Sequence, residues 1–280
     1  MRGFFVGGLF GGQQVVFLPA KVTYSGVMPK AKKPQPKPKK TPEPRTKRRS
    51  ETKRPRRSLR AWIGFLALRS FTLFMVLTLF FIGLTAVINP PTTYYMWSES
   101  RRLGEIDHEW IPAENIAPVM LRSAVAAEDA NFCLHWGFDV MAIRNALDDG
   151  GNRGASTISQ QVVKNVFLWP GRNWLRKAME AFMTPVLEAV WTKRRILEVY
   201  LNVAEFGSGV FGIDAASHHY FGTAPASLSP QQAALLAAIL PNPKERSAKT
   251  PSAFVSRRAS SVQDGAALIR KDGRAACFED

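Results

Sequence analysis

Between Ser70 and Ile88 the chain reads SFTLFMVLTLFFIGLTAVI, nineteen residues without a charge. Wound as a helix at ~1.5 Å per residue, such a run reaches roughly the ~30 Å of a bilayer's hydrocarbon core. Helices of water-soluble proteins are seldom apolar on every side, so the stretch is expected to span a membrane rather than fill a core. A span of this kind divides the chain into an N-terminal and a C-terminal part on opposite sides of the bilayer.

The N-terminal part is basic. From Lys30 to Arg60 fifteen lysines and arginines face only Glu43 and Glu51, so this segment carries +13 of the chain's net +16. It is also rich in proline and nearly devoid of apolar side chains, a composition that cannot offset the entropy of ordering, and it is expected to be disordered. Alone, such a block could be a nucleic-acid arm. Next to a membrane span it is better read as an orientation signal: basic loops stay on the cytoplasmic side, which puts the N-terminus inside and everything after Ile88 outside. Contact with anionic lipid is a second role for it, and nucleic acid is not expected as a partner. The first 27 residues differ in composition, and Met28, where the basic block begins, is a candidate true start. No A-x-A-like cleavage site comes after the span, so the anchor should be retained. The expected organisation is a basic tail over 1–60, an anchor over 61–88 and one exported domain over 93–280.

With 46% apolar residues the exported part can build a substantial core. After the turn-forming NPPTT (Asn89 to Thr93) the pattern is helical nearly to the end, and strand signals are almost absent, so an all-α domain is expected. Two helix starts can be read directly. Ser229-Pro230-Gln231-Gln232 and Thr157-x-x-Gln160 are capping boxes, the first with proline at the first helical position. Glycines cluster at Gly150, Gly151 and Gly154, a candidate mobile loop, and again in EFGSGVFG (Glu205 to Gly212). Cys133 and Cys277, 144 positions apart, make no disulfide framework, and the sequence does not say whether they pair. No internal repeat, metal-ligand spacing or Walker-type loop is found, and His218 and His219 read as a surface helix end.

Three stretches can carry chemistry. In AAEDANFCLHWGFD (Ala126 to Asp139), a helix would place Glu128, Phe132 and His135 on one stripe, with Asp129 turned away. A carboxylate packed beside a phenylalanine loses hydration, which raises its pKa toward the value a general base needs. The same residues could be a half-buried ion-paired turn. In GNRGASTISQQVVKN, Thr157, Gln161 and Lys164 would form a polar stripe opposite Ile158, Val162 and Val163, fit to cradle an anion or a sugar, or simply to face solvent. In RKAMEAFM, Arg176 and Glu180 lie four apart with Lys177 adjacent, which on an ordinary helix is a surface pair contributing about 0.5 kcal/mol or less. Further on, KRRILEVYLN should pack through Ile196, Val199 and Tyr200, with Glu198 outside that face.

Taken together and in order, EDANFCLHWGFD, RGASTISQQVVKN, RKAME, KRRILEVYLNVAEFG, GIDAASHHYFG and LLAAILPNP resemble the peptidoglycan glycosyltransferases of family 51, over about Glu105 to Pro243. GAST with SQQ is most similar to the short monofunctional biosynthetic members. The resemblance implies a mostly α, lysozyme-like domain with a small hydrophobic membrane-proximal jaw. It implies polymerisation of lipid II through β-1,4 bonds with release of undecaprenyl pyrophosphate, by a domain on the periplasmic side of the inner membrane. It further implies that Glu128 is the general base, and that Arg176, Lys177 and Glu180 hold the donor's pyrophosphate, the glutamate directly or through a divalent ion such as magnesium or manganese. No other cofactor is expected. Ser156, Thr157, Gln161, Lys164 and Asn165 would line the donor site, while Asp129, Phe132, His135 and Gly137 would shape the pocket. Lipid II, the growing glycan strand and membrane lipid are the implied partners, with other cell-wall synthesis or division proteins as candidates.

The chain departs from the family pattern at Ala155 and Ser159, both mildly, and at Gln232. Beyond about Pro251 the tail loses the pattern of the family's last helix. No transpeptidase motif set is present: Ser50 to Lys53 spells Ser-x-x-Lys within the basic tail, and Lys249-Thr250 is followed by proline. Two rivals remain. A lytic transglycosylase or muramidase would use one such glutamate but leave Lys164, Arg176, Lys177 and Glu180 without purpose, and a non-enzymatic scaffold of the wall-building complex would tolerate Glu128→Gln.

Overall fold

The computed structural model describes residues 20–21, 23, 35–37, 58–150, 154–171 and 173–279. The expectations of a disordered basic tail and of a start at Met28 fall almost wholly outside the described residues, as does the centre of the Gly150–Gly154 loop.

Helix α1 (Leu59–Val87) opens on Ser58, whose hydroxyl accepts the Ala61 N–H, and its side chains are apolar all round and mostly exposed. Among the described residues it is the one helix long and apolar enough to cross a membrane. Its final turns dock on the rest of the chain. The Trp191 indole N–H donates to the Ile82 carbonyl (2.7 Å), and the Arg195 guanidinium donates to the carbonyls of Thr85 (3.1 Å) and Ile88 (3.3 Å). A helix end leaves carbonyls such as those of Thr85 and Ile88 without intrahelical partners, so the cation satisfies groups that would otherwise be stranded, while the indole adds a bond one turn further back.

Thr93 then caps α2 (Tyr94–Leu103), and the chain passes through β1 (Asp107–His108) to α3 (Pro118–Glu128), which starts on a proline. Next come α4 (Val140–Asp148), α5 (Ile158–Phe167), α6 (Trp174–Val190) and α7 (Lys193–Val203). Strands β2 (Glu205–Gly207) and β3 (Val210–Phe211) lead into α8 (Gly212–Phe221), α9 (Pro230–Ile239), α10 (Ala253–Lys271) and the short α11 (Ala276–Glu279). Both capping boxes form, at Thr157/Gln160 and at Ser229/Gln232.

The all-α expectation needs one correction. A three-stranded sheet in the order β1-β3-β2 is present, β1 parallel to β3 and β2 antiparallel to it, with a bulge between Glu205 and Gly207. The glycines of EFGSGVFG make this hairpin: Gly209, at φ +78°, turns it, and the Gly207 Hα faces the Tyr220 hydroxyl where a Cβ would come within 2.8 Å. Strands of two or three residues are too short for alternation to reveal.

The core centres on α9, whose residues Ala233 to Ile239 are all buried. Helices α3 and α10 pack on it and on each other, and α5 packs on α6 and α7. The tail is not irregular. In α10, Val255, Ala259, Val262, Ala266 and Ile269 are buried at alternating spacings of four and three, the stripe of an amphipathic helix. Opposite α3, Gly265 lets the backbones close: a Cβ there would stand 3.1 Å from that of Ala126. Cys133 and Cys277 are joined in a disulfide, tying α11 to the segment just after α3.

Candidate active site

Helix α3 ends at Glu128, and this overturns the expected stripe. Asp129 is the C-cap, with φ −160° and ψ 67°, and Phe132 and His135 lie beyond it in a short 3-10 turn and its exit. The chain bends because the Asp129 carboxylate makes its bonds elsewhere: Oδ2 accepts the Ile158 N–H (2.9 Å) at the start of α5, and Oδ1 pairs with His135 Nε2 (2.7 Å). An aspartate that offers its oxygens to other segments in this way competes with helix continuation. The fully buried Phe132 ring meets His135, Phe278 and the Lys193 ammonium, 4.4 Å from its centroid. Lys193 in turn donates to the His135 carbonyl (2.9 Å) and pairs with Glu188 (2.8 Å), which also accepts from Ser159. Asp129, Phe132 and His135 therefore belong to a frame behind Glu128.

Glu128 is desolvated all the same. Its side chain is 12% exposed, Oε2 accepts one bond from Gln161 Nε2 (2.9 Å), and Oε1 has no hydrogen-bond partner. Burial raises its pKa above the ordinary carboxylate value, and the Gln161 bond and the charges of Arg258 and Lys164 pull in the opposite direction. A carboxylate with a raised pKa and a free oxygen is what a general base near neutrality requires. It lines a cavity of about 260 Å³ together with Asp129, Asn131, Asp139, Ser156 and Thr157.

A second cavity of about 600 Å³ lies alongside, and Ser156 lines both. Here Arg176, Lys177 and Glu180 are not the surface pair their spacing suggests: Arg176 is 8% and Glu180 2% exposed. Asn173 caps α6 through the Arg176 N–H, and the Arg176 side chain donates to the Gly171 carbonyl (2.8 Å) and to Glu180 Oε2 (2.9 Å). Lys177 donates to the other Glu180 oxygen and stands 3.5 Å from the Ser156 hydroxyl. Lys164 faces the same cavity, and burial lowers its pKa, opposed by the attraction of Glu180. Three cations against one carboxylate leave two net positive charges on these walls. Such a wall fits a group bearing two or more negative charges, and its fixed donors require little rearrangement to receive it.

The polar stripe on α5 is only partly as expected. Gln161, Lys164 and Asn165 line the cationic cavity, but the Thr157 hydroxyl is buried as the helix cap and donates to the Gly137 carbonyl (2.7 Å). Gly137 sits at φ +83° with Thr184 close enough that a Cβ would meet it at 2.6 Å, so no other residue fits this turn. Two contributors lie outside the motifs: Tyr95 from α2 reaches the cationic cavity, and Arg258 from the tail approaches Glu128. Asp139, the last residue of the first motif and given no role by it, lines the smaller cavity. His218 and His219 are exposed at the end of α8, away from these walls.

A divalent cation finds no ready cage. Both Glu180 oxygens are taken by Arg176 and Lys177, and among the described residues no three His, Cys, Asp or Glu side chains are grouped to hold a metal. These residues alone do not fit such an ion.

A family model described as transglycosylase matches residues 97–266. A biosynthetic peptidoglycan transglycosylase of Jannaschia sp. (strain CCS1) is 59% identical over 222 residues, 79% of this chain and 91% of that protein. Proteins with the same name from Rhodospirillum centenum and Caulobacter vibrioides are 50% and 44% identical, covering 62% and 68% of this chain and 78% and 85% of their own lengths.

Proposed function

The chain belongs to the transglycosylase family and is a peptidoglycan transglycosylase, and from that premise we propose that it polymerises lipid II, with Glu128 as the general base. The reading is carried by one observation: a desolvated carboxylate with a free oxygen lines one cavity, paired cations line the next, and Ser156 borders both. In the proposed step Glu128 takes the proton of the acceptor's 4-hydroxyl as that oxygen attacks C1 of the donor sugar. The bond from C1 to the pyrophosphate oxygen breaks, and the electron pair leaves with undecaprenyl pyrophosphate. Lys164, Arg176 and Lys177 stabilise the charge that grows on that leaving group, and Glu180 holds two of these cations in place.

Base and cations on different cavities suit a displacement in which nucleophile and leaving group occupy opposite faces of the sugar. The lipid portion of the donor has a matching surface. A groove of about 550 Å³, walled by Phe74, Leu77 and Phe81 of α1 and by Val166, Phe167 and Met183, joins the anchor to the two helices that carry the cations. With the basic segment cytoplasmic, the domain works on the far side of the inner membrane.

Glu128→Gln should abolish glycan polymer formation from labelled lipid II; ready turnover by that variant would refute the base assignment. A glycan-cleaving enzyme would instead release fragments from preformed strands, and a glycan strand has no pyrophosphate to occupy the cationic wall.

A further inference from the structure

The free oxygen of Glu128 has a cationic neighbour that the motifs do not contain. Arg258 Nη2 stands 3.7 Å from Oε1. The same nitrogen donates to the Ala127 carbonyl (3.1 Å), and Nε of that guanidinium is buried without a partner. Ala127 lies in the last turn of α3, where carbonyls lack intrahelical donors and the helix end carries partial negative charge. The guanidinium is thus fixed on the end of the helix that presents Glu128. Its own helix lies close against α3, where Gly265 leaves room for Ala126.

Other charged or titratable groups face Glu128 but have different engagements. Asp129, its neighbour, is bonded to His135 and to the Ile158 N–H. Tyr200 of α7 is fully buried, and burial holds its phenol well above the ordinary value, so it stays neutral. Lys164 of α5 faces the cationic cavity with Arg176, Lys177 and Glu180. Arg258 alone among them approaches Glu128 from the side of α10.

We propose that Arg258 is a positioning residue for the reaction: docked on the Ala127 carbonyl, it keeps the Glu128 carboxylate ionised while leaving Oε1 free for the acceptor hydroxyl. The proposal rests on Glu128 being the base. At 3.7 Å, and with a third of the Arg258 side chain exposed, the contact is a partly screened attraction rather than a hydrogen bond, so it adds charge without occupying the oxygen that must receive the proton.

The test is the pH dependence of kcat/KM on lipid II, measured on the full chain in detergent from about pH 5 to 9. Removing the cation raises the base's pKa, so in Arg258→Gln the acidic limb should move up by about 1 pH unit while the plateau falls less. Arg258→Lys, which keeps a charge, should bring the limb most of the way back. If R258Q does not fold, as judged by its thermal transition, R258M takes its place, an unbranched side chain of similar length without the charge. An acidic limb that coincides with the wild type in either neutral variant, whatever its rate, overturns the proposal. Turnover by Glu128→Gln would sink the base assignment itself, whereas an unmoved limb with an inactive E128Q would sink only the role of Arg258.

Discussion

Glu128 is destabilising where it stands. Its pKa is raised in the folded chain by burial, so relative to the unfolded state its contribution is most favourable below the unfolded carboxylate value and is lost as pH rises through the folded one. At neutral pH the native state therefore holds an unfavourable charge, one oxygen of which accepts no hydrogen bond. Glu128→Gln should not only lose activity but gain on the order of 1 kcal/mol of stability and so unfold at a higher temperature, the usual sign of a site that trades stability for chemistry; a lower melting temperature would show that the carboxylate is structural. Lys164 gives the opposite limb. Burial lowers its pKa, so it should lose its charge at a lower pH than an ordinary lysine. Activity should then fall on the alkaline side. Lys164→Arg, charged throughout, should carry that fall to higher pH in a kcat/KM profile. Glu128 itself was legible in the sequence, but through a stripe with Phe132 that does not form. What desolvates it is packing by distant segments, including Arg258, 130 positions on, and no local periodicity reports that.

The tail shows how an element escapes a reading by motif. The stripe Val255, Ala259, Val262, Ala266, Ile269 is present in the sequence, but two of its five members are alanine and Gly265 interrupts it, so it scores weakly as an apolar face. Small residues are there because α10 lies close to α3, and closeness is a property of the pair, not of either helix alone. The capping boxes, by contrast, are complete within four residues and were readable without the fold. The cysteines lie between these cases: two of them can pair in only one way, yet whether they do depends on the ends being brought together. That they meet beside Phe132, with Arg274 donating to the Ala130 carbonyl (2.8 Å) and Arg122 paired to Glu279 (2.6 Å), makes α11 a clasp on the segment after Glu128. A Cys133→Ser, Cys277→Ser double variant should lose about 2–4 kcal/mol, and reductant should lower the melting temperature of the wild type but not of this variant. Equal sensitivity of both proteins to reductant would mean that the bond is not the clasp.

At the scale of the whole molecule the decisive contact is between anchor and domain. If α1 were only a tether, its carbonyls would need no partners in the folded part, yet Ile82, Thr85 and Ile88 are bonded to Trp191 and Arg195, and Phe74 lies against Phe182 with ring centroids 6.4 Å apart. Arg195 also pairs with Glu198 and lies over the rings of Trp110 and Trp191, so the residue that fixes the anchor is held from three sides. Embedded in a bilayer, such a helix would set the height and tilt of the cavities above the membrane surface as well as keep the domain there. The proposed substrate, lipid II, confined to the same bilayer, would then meet the site at an effective concentration that solution encounter cannot match. Deleting residues 59–88 should therefore reduce turnover of lipid II in bilayers by at least about tenfold more than turnover of a short-chain analogue in detergent, where confinement offers nothing. Trp191→Phe, which leaves the span in place and removes one bond to it, should show the same bias in smaller measure. Equal losses in bilayer and detergent, for deletion and substitution alike, would show that the anchor supports the fold of the domain but does not position it over its substrate.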